Sequence, residues 1–326
     1  MIPILVVAFN RPSVTKSLLD NLLLLPKTNV YFSIDRCDRS DQGFRANEKV
    51  YEQIRNFSRT SHHSCKINFQ RENVGCNRNT LLGMDYLLAN ETDGLLLEDD
   101  CEFRPEYLNF LNRNHDKIDY ETYFSISPMN LTWSRDLSRA KNRKIVWEQS
   151  VLMGASLGLT FSRISKKLFD QALPFMGTTA MKEKIEENSR LLPVNFFQKR
   201  VLESFFTSKS MSIKNTWDIS LQSHSQKNET GWDSAWQLAA FFWNKKFLLP
   251  NFTLARETLF QIEAQWHPHK FEYPSWEGIQ EKVFQIDDLD SSRLSTQKTI
   301  GRIDKWSVSR FPLRRYLQVI ARKRLI

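Results

Sequence analysis

Three consecutive carboxylates, Glu98-Asp99-Asp100, follow the apolar run Leu95-Leu96-Leu97. Acidic groups leaving a buried strand into a loop present hard oxygen ligands, the kind that hold Mg²⁺ or Mn²⁺. A cation held there would neutralise charge developing on a phosphate leaving group. The triplet alone is ambiguous, because carboxylates also gather ahead of a helix, here expected at 105–111, where they favour its positive end. A further acidic candidate, Asp233, sits in the first turn of an expected helix marked by Trp232, Ala235, Trp236, Ala239, Ala240 and Trp243. It lies off that apolar stripe. An Asp so placed either favours the helix dipole or serves as a base that takes a proton from an attacking hydroxyl.

The elements that must position these groups are legible in the first 130 residues, where short apolar runs alternate with segments of helical period. That alternation is the pattern of βα units and a mainly parallel α/β sheet. Strands are expected at 4–8, 30–34, 66–69 and 94–97, and helices at 13–25, 46–57 and 79–89. In an open sheet of this kind, ligands bind beyond the carboxyl ends of the strands. Asn10 and Arg11, then Asp35 and Arg36, then the segment 71–77, then Glu98 to Asp100 stand at four such ends. An anionic, metal-bound ligand is the simplest occupant for that edge. Asn73-Val74-Gly75 reads as a turn, either letting a helix N-terminus approach the ligand or serving the chain alone. After about residue 145 the alternation stops. The segment 151–161 is apolar with Gly154, Ala155 and Gly158, 162–173 looks helical, 180–210 is charged and broken at Pro193, and 247–249 reads as a late strand.

Composition narrows the class. The chain has 326 residues, 41% hydrophobic and 25% charged, with only 10 Gly and 11 Pro, which suits a folded globular protein. Its net charge of +9 suggests nucleic acid at first, but 301–326 carry eight Lys/Arg and one Asp, net +7. The excess basicity therefore belongs to a tail, and no nucleic-acid partner is expected. Leu313, Tyr316, Leu317 and Ile320 give that tail one apolar face, so it forms either a basic amphipathic helix resting on an anionic membrane or a docked terminal helix. No apolar stretch nears the roughly 20 residues of a membrane span. Cys37, Cys65, Cys76 and Cys101 lack a CxxC pair and are expected as free thiols in a cytoplasmic protein. His62-His63 and His267-Pro268-His269 are expected to be solvated rather than metal-binding. Trp133, Trp147, Trp232 and Trp236 are candidates for stacking on a sugar, the last two fitting a core better.

Several segments, in order, resemble a known family: residues 3–12 (Pro-Ile-Leu-Val-Val-Ala-Phe-Asn-Arg-Pro), Phe32-Ser33-Ile34-Asp35, Arg71-Glu72-Asn73-Val74-Gly75-Cys76 and Leu97-Glu98-Asp99-Asp100-Cys101. They look like bacterial nucleotide-diphospho-sugar transferases, which are similar in turn to the animal N-acetylglucosaminyltransferase I family. The likeness continues at 154–159, at Gly231-Trp232-Asp233-Ser234-Ala235-Trp236 and at Arg256-Glu257-Thr258. It implies a GT-A (Rossmann-like) fold with 1–145 binding nucleotide-sugar and metal and 146–270 forming an acceptor-side lobe, while 180–225 and everything after 270 are unmatched and 271–326 is an extension that ends in the basic helix. It further implies that Asp100 coordinates Mn²⁺ or Mg²⁺, that Glu98 and Asp99 contact the sugar and ribose of the donor, and that Arg11 and Asp35 hold the base, with Asn73 in the turn beside them. Asp233 would be the base of an inverting transfer from a UDP-sugar, such as UDP-N-acetylglucosamine, to a glycan or other hydroxyl acceptor. In that family the catalytic Asp lies between two tryptophans at a spacing one residue shorter, which leaves open whether Asp233 or a neighbour takes the proton. The alternatives are a nucleotidyltransferase, which would normally carry a Gly-rich loop where Phe9-Asn10-Arg11-Pro12 stands, and a non-enzymatic basic protein that binds membrane or nucleic acid.

Overall fold

The computed structural model describes residues 1–38, 40–128, 144–145, 147–150, 153, 158–192, 196–220, 231–250, 254–257 and 285–286. The N-terminal stretch runs β1 (Ile4–Ala8), α1 (Pro12–Leu22), β2 (Asn29–Ile34), α2 (Asp41–Thr60), β3 (Ser64–Phe69), α3 (Cys76–Leu88), β4 (Asp93–Glu98), β5 (Cys101–Phe103), α4 (Pro105–Asn114) and β6 (Tyr123–Ile126). There follow β7 (Lys144–Ile145), β8 (Trp147–Ser150), β9 (Leu159–Ser162), α5 (Arg163–Ala172), α6 (Thr179–Arg190), α7 (Phe196–Ser220), α8 (Trp232–Phe242), β10 (Lys246–Pro250), β11 (Ala255–Glu257) and β12 (Gln285–Ile286). The protein is thus mixed α/β. The basic tail, Trp133, His267 and His269 lie outside the described residues.

Five strands form the central sheet in the order β3-β2-β1-β4-β9. The first four are parallel, and β9 closes the edge antiparallel to β4. From β1 the chain adds β2 and β3 on one side and then returns to place β4 on the other. The order therefore reverses between β1 and β4, the position where a doubly wound sheet opens a crevice for its ligand. Register sets the level of that crevice: Val7 lies beside Glu98, so Asp99 and Asp100 leave the sheet level with the start of the β1–α1 loop.

Both faces of the sheet are covered, as a parallel sheet requires. Successive residues of β1 point to opposite sides: Ile4, Val6 and Ala8 pack with α1, α2 and α4, whereas Leu5 and Val7 pack with α3 and α5–α8. Helix α3 lies directly on the strands, since a Cβ at Gly83 would meet Ser33 Cβ at 2.8 Å and Leu5 Cδ1 at 3.1 Å. Leu95, Leu96 and Leu97 are fully buried. Each contributes about 1.5–3 kcal/mol of transfer free energy, which anchors the acid triplet that follows.

A smaller sheet, β6-β10-β8, adds parallel and antiparallel pairings that the sequence pattern did not reveal. So does the ladder joining β11 to β5, with Glu257 opposite Cys101, and the short parallel pair of β12 with β7. Trp147 is a correction: it is 3% exposed and stacks on Phe110 at 4.2 Å, so it fills the core rather than meeting a sugar. His63 is another. It is buried, with Nε2 2.9 Å from the Leu22 carbonyl and Nδ1 accepting from the Thr28 N–H at 3.2 Å, and is therefore structural rather than solvated. None of the four cysteines forms a disulfide among the described residues. Among the described residues, no helix is long and apolar enough to cross a membrane.

Candidate active site at the sheet switch point

Arg11 opens the crevice. It is the N-cap residue of α1, ahead of Pro12, and its side chain makes no capping bond. Instead the guanidinium crosses to β4: Nη1 donates to Asp100 Oδ2 at 2.7 Å, Nε to Asp99 Oδ2 at 3.4 Å, and Nη2 to Asp99 Oδ1. Asp99 and Asp100 are buried, at 2% and 6% exposure. Burial alone would disfavour the guanidinium's charge, but Asp99 and Asp100 together outweigh it and hold the Arg11 pKa above its ordinary value. Neighbouring Glu98 is pushed up to about 8, first by burial and then by Asp100 and Asp233, against the lowering effect of a Trp232 hydrogen bond. Glu98, Asp99 and Asp100 thus share the field of one guanidinium, and Asp233 adds to the field at Glu98.

Asp35 has a different setting. Its Oδ1 accepts from the backbone N–H of Arg36 at 3.0 Å and of Val74 at 2.9 Å, and its Oδ2 accepts from the Gly75 N–H at 2.9 Å. Asn73 returns the favour, its Nδ2 donating to the Arg36 carbonyl at 2.6 Å. Gly75 has φ of +82°, a left-handed conformation that glycine adopts without steric cost. Asp35 and Asn73 therefore brace the loop that launches α3, while Arg11 joins the β4 carboxylates. Arg36 itself lies over the rings of Phe44 and Phe69.

Helix α8 brings the second acidic candidate. Its stripe is buried, with Trp236 tilted against Phe124 and Phe169 and donating from Nε1 to Ser125 Oγ at 2.9 Å. One turn earlier, Trp232 Nε1 donates to Glu98 Oε1 at 3.1 Å. That single bond ties the start of α8 to the end of β4, 134 residues apart, and sets Asp233 in the electrostatic field of Glu98. Asp233 Oδ1 accepts from the Ser234 N–H at 2.7 Å. The close approach needs Gly231, where a Cβ would lie 2.4 Å from Asp233 Oδ1. Asp233 also lines a cleft between α7 and α8.

The structure thus brings Arg11, Glu98, Asp99, Asp100 and Asp233 together and places Asp35 and Asn73 behind them, in the wall. Sequence reasoning missed two contributors and the polar contact of a third. Asn47 staples two strand ends, donating from Nδ2 to the carbonyls of Phe9 at 2.6 Å and Asp35 at 2.8 Å and accepting from the Cys37 N–H at 3.1 Å. The available signal was an amide on the buried stripe Asn47, Val50, Ile54, Phe57. Cys76, the exposed first residue of α3, faces Glu98 and Asp233. Trp232 carries a polar contact although its spacing fits a plain core residue.

Among the described residues, no group of three His, Cys, Asp or Glu side chains is disposed to hold a metal ion by itself. In comparison with known proteins, neither a family model nor a curated relative matches the chain.

Proposed function

We propose that the chain is a metal-dependent glycosyltransferase of GT-A type that moves a sugar from a nucleotide-sugar, in the first instance a UDP-sugar, to a hydroxyl acceptor with inversion. The observation that carries this reading is the convergence at the β1/β4 switch point of Arg11, the buried Asp99–Asp100 pair and, through Trp232, the Asp233 helix. The donor set fits Mg²⁺ or Mn²⁺. Its oxygens are hard, and one or two carboxylates can hold such an ion with the remaining ligands coming from phosphates and water. Asp100 would hold the ion, with Asp99 beside it; the ion supplies charge neutralisation to the departing diphosphate.

The chain's own residues do the rest. Arg11, by its hydrogen bonds to both, fixes the positions of Asp99 and Asp100 before the donor arrives. Asp35 and Asn73, by bracing the Val74-Gly75 turn, orient the α3 N-terminus, the positive end of the helix, toward the crevice, where it favours an anion. Asp233 accepts the acceptor's hydroxyl proton while that oxygen bonds to the anomeric carbon and the bond from that carbon to the diphosphate breaks. The Ser234 N–H on Asp233 Oδ1 leaves Oδ2 for this role.

The test is thermal shift and donor hydrolysis across a panel of nucleotide-sugars, with and without Mn²⁺, on the wild type and Asp100→Ala. A metal-dependent shift with at least one donor, lost in Asp100→Ala, is expected. If no nucleotide-sugar stabilises the wild type in a metal-dependent way, the reading fails.

A further inference from the structure

The cleft between α7 and α8 has a volume of about 130 Å³ and has Asp233 in its lining. Its walls are of two kinds. Phe205 gives apolar surface, with Phe206 and Leu238 buried behind it, while Lys209, Asp233 and Ser234 give polar groups. The Lys209 ammonium lies 3.5 Å from Ser234 Oγ, and among the described residues it meets no carboxylate within 4 Å. Gln237 accepts from the Met153 N–H and so pins the remaining wall to α8.

We infer that this cleft is the acceptor subsite, that its occupant is a single neutral sugar ring, and that Lys209 is the residue that orients that ring. The inference rests on the glycosyltransferase reading and narrows its acceptor. Three features select the ring. A pyranose has apolar C–H faces and a polar rim, matching a cleft with the Phe205 ring on one side and an ammonium, a hydroxyl and a carboxylate on the other. The volume lies below the roughly 300 Å³ at which extended small-molecule sites begin, so one ring enters and the rest of any glycan stays outside. The charged lining, one Lys and one Asp, sums to zero, so an acceptor bearing a carboxylate or phosphate gains on Lys209 what it loses on Asp233. Lys209 donates to a ring oxygen next to the reacting hydroxyl, and this turns the hydroxyl proton toward Asp233. Because Lys209 and Ser234 sit on different helices, α7 and α8, the spacing of the two helices sets which hydroxyl is presented.

The experiment uses the full chain and a panel of methyl glycosides: glucoside, galactoside, mannoside, N-acetylglucosaminide and, as the anionic control, glucuronide. Binding is read by saturation-transfer NMR with and without UDP and Mn²⁺, and transfer is read by product formation from whichever donor the thermal-shift panel selects. At least one neutral glycoside should bind the wild type. Lys209→Met should raise that glycoside's Kd and KM about tenfold, equivalent to about 1.4 kcal/mol. Lys209→Arg should restore part of the loss. An unchanged KM in Lys209→Met, binding of the glucuronide alone, or no glycoside binding under any condition would overturn the inference. Glycoside binding without any donor response would instead sink the transferase reading and leave the cleft a sugar site, so the two failures are distinguishable.

Discussion

Removing the guanidinium while keeping the stem, Arg11→Met, isolates the charge at the switch point. The side chain of Arg11 is 33% exposed, and those of its partners Asp99 and Asp100 are 2% and 9% exposed. Breaking a fully buried pair costs about 3–5 kcal/mol, whereas an exposed pair contributes about 0–1 kcal/mol. With one partner a third exposed and two buried carboxylates left behind, the expected loss is about 2–3 kcal/mol. At about 2–4 °C per kcal/mol for a domain of this size, Tm measured in EDTA falls by roughly 4–12 °C. The two stranded carboxylates then bind a cation more strongly than in the wild type. At a hundredfold excess over its Kd, Mn²⁺ contributes about 2.7 kcal/mol, which recovers most of the loss. Scanning fluorimetry of both proteins in EDTA and in Mn²⁺ measures each quantity. Equal Tm values in EDTA would refute the ion-pair argument, and a Mn²⁺ shift no larger in the variant than in the wild type would refute the idea that Arg11 stands where positive charge is needed.

Asp35→Asn exchanges an acceptor oxygen for an N–H₂ against the Val74 or Gly75 N–H, and the protein should lose about 1.5–3 kcal/mol in urea unfolding; a change under about 0.5 kcal/mol would show that the carboxylate does not brace the α3 loop. His63 supplies a pH dependence. Its Nδ1 accepts from Thr28 and its Nε2 faces a carbonyl, so the ring is held neutral, and burial keeps its pKa below the ordinary 6.5. The unfolded chain therefore binds more protons below about pH 6.5, and stability that is complete above that pH falls with acidification until the folded ring also protonates. This one group contributes a slope of at most about 1.4 kcal/mol per pH unit. His63→Gln should be less stable at pH 7 yet lose less between pH 7 and 5, and parallel urea midpoints for the two proteins would contradict this.

Much of the sheet was legible because burial on two faces leaves a period in the residues. The runs at β1, β2 and β4 are continuously apolar, the helices between them carry stripes, and strand ends in such a pattern share one edge. Arg11, Asp35 and Glu98 to Asp100 could thus be assigned to that edge from sequence. Their partners could not. Nothing in the spacing says that Arg11 turns to Asp99 and Asp100 while Asp35 turns to the backbone of Val74 and Gly75. Both are charges at strand ends, and the choice depends on which loop lies within about 3 Å in three dimensions. The bond from Trp232 to Glu98 spans 134 residues, and the α7/α8 cleft depends on how a helix legible as a core stripe packs against one legible in part only as a charged segment. By itself the sequence determined which residue types gather at the crevice, because local periodicity encodes strand, helix and face. The tertiary structure alone decided which of them touch, since hydrogen-bond geometry and the field around Glu98 depend on distances that no local pattern records.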